Sequence, residues 1–314
     1  MPKKDLLAAM RLGEPLTLRQ QIMLTLQLSI PAILAQISSI VMQYIDAAMV
    51  GHLGKEASAS IGLVASSTWL MGGLCRALSV GFSVMVAQRI GASEEQDARN
   101  LVKQGLCSGA AFGVLLAAIG AAISGGLPYW LRADAAICPD ASAYFLIFAL
   151  SLPFVQLNRL AAGLLQAGGN MRTPSVLMAL MCGLDVIFNA LLIFPTRRIG
   201  AFTLPGANMG VAGAALGTAL SEATIAFIMC LLLLRSPVLG LRRDERLRFI
   251  PAQLRRALTL SVPVAIEQAV MTSAQVVTTG IIAPLGTVAI AANSFAVTAE
   301  ALCYMPGYGV ESAA

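Results

Sequence analysis

Long apolar stretches alternate with short polar gaps along this chain. Eight stretches can be marked, at 23–50, 60–88, 101–127, 142–165, 175–194, 210–234, 257–283 and from 288 to the end. Each runs for about 20 residues or more, the length an α-helix needs to cross roughly 30 Å of hydrocarbon. Spanning strands would instead show segments of about ten residues with apolar and polar positions alternating. In lipid, every backbone N–H and C=O must find its partner inside the protein, so helices are the elements that fit this pattern. The reading is an all-α integral membrane protein, a polytopic helical bundle.

Composition sharpens this picture. Apolar residues make up 57% of the 314 and charged ones 12%, too few charges to cover a soluble core of this size. The net charge of +5 is not a nucleic-acid footprint, because the basic residues sit in the gaps between apolar stretches. Counted on alternate sides, 15 of the 21 Lys and Arg fall on the side of the N-terminus and 4 on the other, with Arg76 and Arg159 inside spans. Positive charge is retained in the cytoplasm, which predicts a cytoplasmic N-terminus and a multi-pass protein of the inner or plasma membrane. The basic residues Arg242, Arg243 and Arg248 are expected in a solvated loop beside lipid headgroups. The first 21 residues lack the features of a cleaved signal peptide. Six scattered cysteines read as small apolar residues, and a single histidine, His52, leaves no His-based metal or catalytic set. No P-loop is present, so an ion gradient rather than ATP is the expected energy source, and no enzyme is expected.

The first span is repeated. Leu28-Ser29-Ile30-Pro31, Gln36, Gln43 and Leu53-Gly54 recur as Leu260-Ser261-Val262-Pro263, Gln268, Gln275 and Leu285-Gly286, each offset by 232 residues. Duplicated halves with a site between them are a transporter signature. The expected organisation is a cytoplasmic segment 1–21, a six-helix N-lobe over 22–234, an inter-lobe loop 235–256 and the first two helices of a repeated C-lobe over 257–314. A second lobe that stops after two spans predicts a fragment of a longer protein. Pro31 and Pro263 are expected near helix starts.

Four motifs then fall in order. They are Asp46-Ala47-Ala48-Met49-Val50-Gly51-His52-Leu53-Gly54; Arg89-Ile90-Gly91-Ala92 with Arg99 and Gln104-Gly105; Gly168-Gly169-Asn170-Met171-Arg172-Thr173-Pro174; and Gly213-Ala214-Ala215-Leu216-Gly217-Thr218. In this order the chain resembles the multidrug and toxic compound extrusion (MATE) family of secondary transporters, with Asn170 where that family carries Asp. The resemblance implies two six-helix lobes around a central cavity. It also implies an H⁺- or Na⁺-coupled antiporter that exports organic cations, drugs or amphipathic metabolites by alternating access, with no cofactor beyond the coupling ion.

An ionisable side chain at membrane depth is costly unless paired or hydrated, so each needs a reason. The resemblance points to Asp46 as an ion-coupling carboxylate. Asp185 and Asn189 are four apart and share one helix face. The resemblance makes Asp46, Asp185 and Asn189 candidate ligands for Na⁺, although their order, acid before amide, inverts the family's pattern and displaces the charge by one helical turn. Thr218 is a further candidate hydroxyl for the coupling site. Gln36, Gln43, Glu267 and Gln268 are candidates for the substrate cavity, while Glu222, Glu300 and Glu311 carry less weight. A carboxylate in a half-dry cavity binds a proton more readily than in water, and a hard cation can use the same oxygens. The acidic bias of these residues favours cationic or amphipathic small molecules as partners, beside membrane lipids and without nucleic acid. A lipid-linked oligosaccharide flippase of the same superfamily is the nearest alternative. A channel, a receptor or a non-functional fragment is the alternative of another class.

Overall fold

In the computed structural model, described for residues 17–131, 137–199, 202–240 and 249–282 with isolated positions beyond, seven long helices account for the apolar stretches. They are α1 (Leu18–Gly51), α2 (Lys55–Gly91), α3 (Glu95–Ser124), α5 (Cys138–Ala167), α6 (Arg172–Leu192), α7 (Gly210–Leu234) and α8 (Pro251–Ile282), with a single turn α4 (Leu127–Trp130) between α3 and α5. The stretch from 288 onward, with Glu311, falls almost wholly outside the described residues, as does the basic run 242–248.

Three helices, α1, α2 and α5, overrun their apolar stretches at both ends, and α3, α6 and α8 begin ahead of theirs. At 37 residues, α2 is about 55 Å long, well beyond the hydrocarbon thickness, because a helix continues into the polar interface while its hydrogen-bond ladder holds. For the same reason the two repeat prolines are not helix starts. Pro31 and Pro263 lie inside α1 and α8, since the helices begin in the polar segments ahead of the apolar ones. Each proline lacks the N–H that would close the ladder, yet the flanking turns continue the helix.

One hairpin interrupts the helical pattern. Strands β1 (Pro195–Ile199) and β2 (Phe202–Ala207) pair antiparallel in the connection between α6 and α7. The hairpin is too short and too polar to give a spanning signal.

At the centre stands α5, which packs against α2, α3 and α7; α1 lies on α6, α6 on α7, and α8 on α2. Close approach rests on small residues, as expected where lipid removes the hydrophobic drive between helices. A Cβ added at Gly113 would lie 2.7 Å from Pro153 Cα, so α3 and α5 touch backbone to backbone there. The main core gathers Phe82, Leu101, Leu160, Leu164, Ile225 and Met229, all fully buried. Opposite, large apolar side chains face outward: Leu26, Ile30, Leu34, Ile37 and Val41 form an exposed stripe along α1 at spacings of three and four. That inversion is what a lipid-facing surface requires.

Two connections are built by local chemistry. The Thr173 N–H donates to Asn170 Oδ1 (3.1 Å) at the start of α6. Asn and Asp side chains both accept a backbone N–H in such a turn. Between α2 and α3, Arg89 pairs with Glu94 and, at 3.5 Å, with Asp97.

Candidate functional site

Two helices bring three of the sequence candidates together. Asp46 sits five residues before the end of α1, and Asp185 and Asn189 lie one turn apart on the buried face of α6. Asp185 and Asn189 are both wholly inaccessible to solvent, while Asp46 is half-buried. The amide nitrogen of Asn189 donates to both carboxylates, to Asp46 Oδ1 at 2.8 Å and to Asp185 Oδ2 at 2.9 Å. The two acids thus share one donor nitrogen.

From α7 the group facing Asp185 is not Thr218 but Ser221, one turn further along. Its hydroxyl donates to Asp185 Oδ1 at 3.2 Å, with the Thr218 carbonyl as alternative acceptor at 2.9 Å. Thr218 itself is half-buried, and its side chain makes no hydrogen bond to the cluster. The glycine between these elements is a geometric requirement. A Cβ at Gly217 would sit 2.1 Å from Asn189 Oδ1, so only a residue without one lets the amide lie against α7. Gly213, four residues earlier, meets the Leu192 carbonyl in the same way, and the pair forms a Gly-x-x-x-Gly seam between α6 and α7.

Asn189 Oδ1 is buried and accepts no hydrogen bond. A buried acceptor without a partner is costly, so its persistence marks a place where a ligand or a rearrangement is expected. Tyr144 of α5 and Cys182 of α6 stand within electrostatic reach of Asp46 and Asp185. Sequence reasoning missed Ser221 and Tyr144. Ser221 carried a faint signal in its spacing of three from Thr218.

The remaining candidates do not join this cluster. Gln36 is half-buried and Gln43 exposed on α1, and neither bonds the acids. On α8, Glu267 is exposed, and Gln268 packs beside Gly73 of α2, where a Cβ would come within 3.2 Å of the glutamine's own Cβ. Glu222 is half-buried and bound by Asn158, and Glu300 is exposed.

A bundle of lipid-facing helices whose interior holds two acids and an amide defines an integral membrane protein with a buried ionisable site. The family follows from sequence: residues 31–191 match the family model MatE, and the chain belongs to that family. It is 24% identical over 291 residues to a probable multidrug resistance protein NorM of Thermotoga maritima, covering 92% of this chain and 60% of that protein. A second probable NorM, from Pseudomonas aeruginosa, is 29% identical over 307 residues, covering 92% of this chain and 58% of the relative. The chain thus spans about 60% of the length of these relatives. In fold it is similar to a MOP superfamily transporter from Pyrococcus furiosus, with a TM-score of 0.83 at 22% identity, covering 92% of this chain and 62% of that one. The outward-facing conformation of a MATE family multidrug transporter superposes with a TM-score of 0.82, also at 22% identity over 92% of this chain and 62% of the other.

Proposed function

We propose that this chain is the larger part of an ion-coupled antiporter that exports organic cations, drugs or amphipathic metabolites by alternating access. One observation carries the reading: Asp46 from one helix and Asp185 with Asn189 from another converge on a single buried cluster. Two acids held side by side behind one amide repel each other when both are ionised, and one added positive charge relieves the repulsion. A site of this kind changes its charge as it loads, so an ion gradient can bias which way the surrounding helices pack.

The arrangement favours a proton over Na⁺ as the coupling ion. Asn189 turns its donor, not its oxygen, toward both carboxylates, and two acids that share a proton still accept those bonds. Sodium needs oxygen ligands, and Asn189 Oδ1 would supply one only after the amide turns over; Asp46, Asp185 and Ser221 would complete the set. Positive charge gathered on the side of the N-terminus supports a cytoplasmic N-terminus in the inner membrane. Gln36, Gln43, Glu267 and Gln268 are the residues proposed to meet substrate.

The test is gradient-driven efflux of a fluorescent organic cation from proteoliposomes, comparing wild type with an Asp46→Asn, Asp185→Asn double variant. The expected result is loss of gradient-driven efflux at normal expression. Efflux that persists in the double variant and still follows the gradient sinks the proposal.

A further inference from the structure

A second buried polar cluster lies beside the first and is absent from the site above. The Asn158 amide nitrogen of α5 donates to Glu222 Oε2 of α7 at 2.7 Å and lies 3.9 Å from Met181 Sδ of α6. Asn158 is only 4% exposed, and its Oδ1 is buried with no hydrogen-bond partner. One acceptor oxygen of the amide thus stands unused beside the Glu222 carboxylate. The charged and titratable groups facing Glu222 are Arg159 of α5, Asp185 of α6 and the Cys75 thiol of α2. Arg159 is exposed and acts on Glu222 through space without closing an ion pair on it.

The two clusters meet through adjacent residues of α7. Successive positions on a helix point about 100° apart. Ser221 therefore serves Asp185 on α6, while Glu222 faces Asn158 on α5. Charge balance then decides what the lobe can take up. Asp46, Asp185 and Glu222, against Arg159, leave two negative charges when all are ionised. A single cation at the Asp46–Asp185 pair leaves one charge still unmet in a low-dielectric interior, where unmet charge is expensive.

We propose that Glu222, held by Asn158, is a second position at which this bundle takes up one positive charge, separate from the Asp46–Asp185–Asn189 cluster. The charge arrives as a proton or as Na⁺. Both chemistries use the Glu222 carboxylate, and Na⁺ would add Asn158 Oδ1 as a ligand. Loading of the lobe is then a two-charge event, with Ser221 and Glu222 making α7 the element that senses both.

Infrared difference spectroscopy on the purified protein in lipid nanodiscs reads each carboxyl group directly. Two perfusion steps are applied, an acid step in Na⁺-free buffer and a Na⁺ step at fixed pH, to wild type, E222Q, the D46N/D185N double variant and N158A. Wild type is expected to show one carboxyl band that E222Q lacks and D46N/D185N keeps. A new protonated-acid band in the acid step identifies a proton, and a shifted carboxylate band in the Na⁺ step identifies sodium. N158A is expected to move the midpoint of that band at least threefold, which a merely structural amide would not do. Spectra of E222Q that superimpose on wild type in both steps overturn the proposal, as does a band lost equally in D46N/D185N. Should E222Q fail to elute as wild type does, E222D replaces it, and its band must shift rather than stay in place. Failure of the Asp46–Asp185 reading is distinct: there the D46N/D185N spectra keep every band, while the Glu222 band stands or falls alone.

Discussion

The two copies of the repeated helix, α1 and α8, share a frame and differ in where they carry charge. Ser29 donates to the Thr25 carbonyl at 2.7 Å, and Ser261, 232 residues later, donates to the Ala257 carbonyl at 2.8 Å. Both prolines that follow lie inside their helices. Beyond this common start the copies part. The position of Asp46 is taken in α8 by Thr278, whose hydroxyl turns back to the Ala274 carbonyl at 2.9 Å. The acid of α8 is Glu267, which matches Ala35 of α1. A duplicated scaffold has thus kept its backbone chemistry while its carboxylate stands 11 positions, about 16 Å, further along in one copy than in the other. Backbone devices and ionisable groups answer to different demands. The first must recur for the helix to form, and the second need only find a partner on a neighbouring helix.

The sharpest test of that difference lies with the partners. Asn189 satisfies Asp46 and Asp185 with two bonds to charged acceptors, each worth about 1.5–3 kcal/mol in a buried setting. Asn189→Leu is therefore expected to lower stability by about 3 kcal/mol or more in a detergent unfolding titration. Glu267→Leu, at an exposed position without such a partner among the described residues, is expected to change it by less than about 0.5 kcal/mol. Equal losses at the two sites would show that the charge of α8 is as structurally committed as that of α1.

How far the sequence foretold this follows from the same division. The spans were readable because roughly 20 apolar residues are a physical length, and every described long helix overlaps its expected stretch. Asp185 and Asn189 were readable as one face because four residues make about one turn. Pairing Asp46 with them rested on a family resemblance, since nothing local tells which helix α1 meets. The choice of Thr218 over Ser221 went the other way for a similar reason. Both hydroxyls lie near one face of α7, and only the packing at Gly217 decides which reaches Asp185. The overhanging helix ends and the paired strands β1 and β2 left no mark in hydropathy, because they lie outside the apolar lengths.

A smaller effect is expected where α8 meets the rest of the bundle. A Cβ at Gly81 of α2 would lie 2.3 Å from Ser261 Oγ and 2.5 Å from the Ala257 carbonyl, and backbone cannot yield as a side-chain tip does. Gly81→Val is expected to cost about 1–3 kcal/mol and to loosen α8. Gly72→Val, with open space around its Cβ, is expected to cost less than about 0.5 kcal/mol. Disulfide trapping between α2 and α8 at an introduced cysteine pair reads the loosening apart from global stability. Unchanged trapping in Gly81→Val would mean that this seam does not hold the second copy in place.

The smallest expected effect bears most directly on the repeat itself. Ser29 is 1% exposed and Ser261 5%, and each hydroxyl returns to a carbonyl four residues back, just ahead of its proline. Such a bond satisfies the hydroxyl but competes with the helix ladder, so its removal is worth little. Ser29→Ala and Ser261→Ala are each expected to shift stability by less than about 1 kcal/mol, with the same sign. The sign matters more than the size. If the two bonds bend their helices equivalently, both alanines straighten them, and cysteine accessibility beyond Pro31 and beyond Pro263 changes in parallel. If only Ser261→Ala changes it, the contact with Gly81 rather than the repeat sets the course of α8. The frame shared by the two copies would then be one of sequence and hydrogen bonds, and not one of motion.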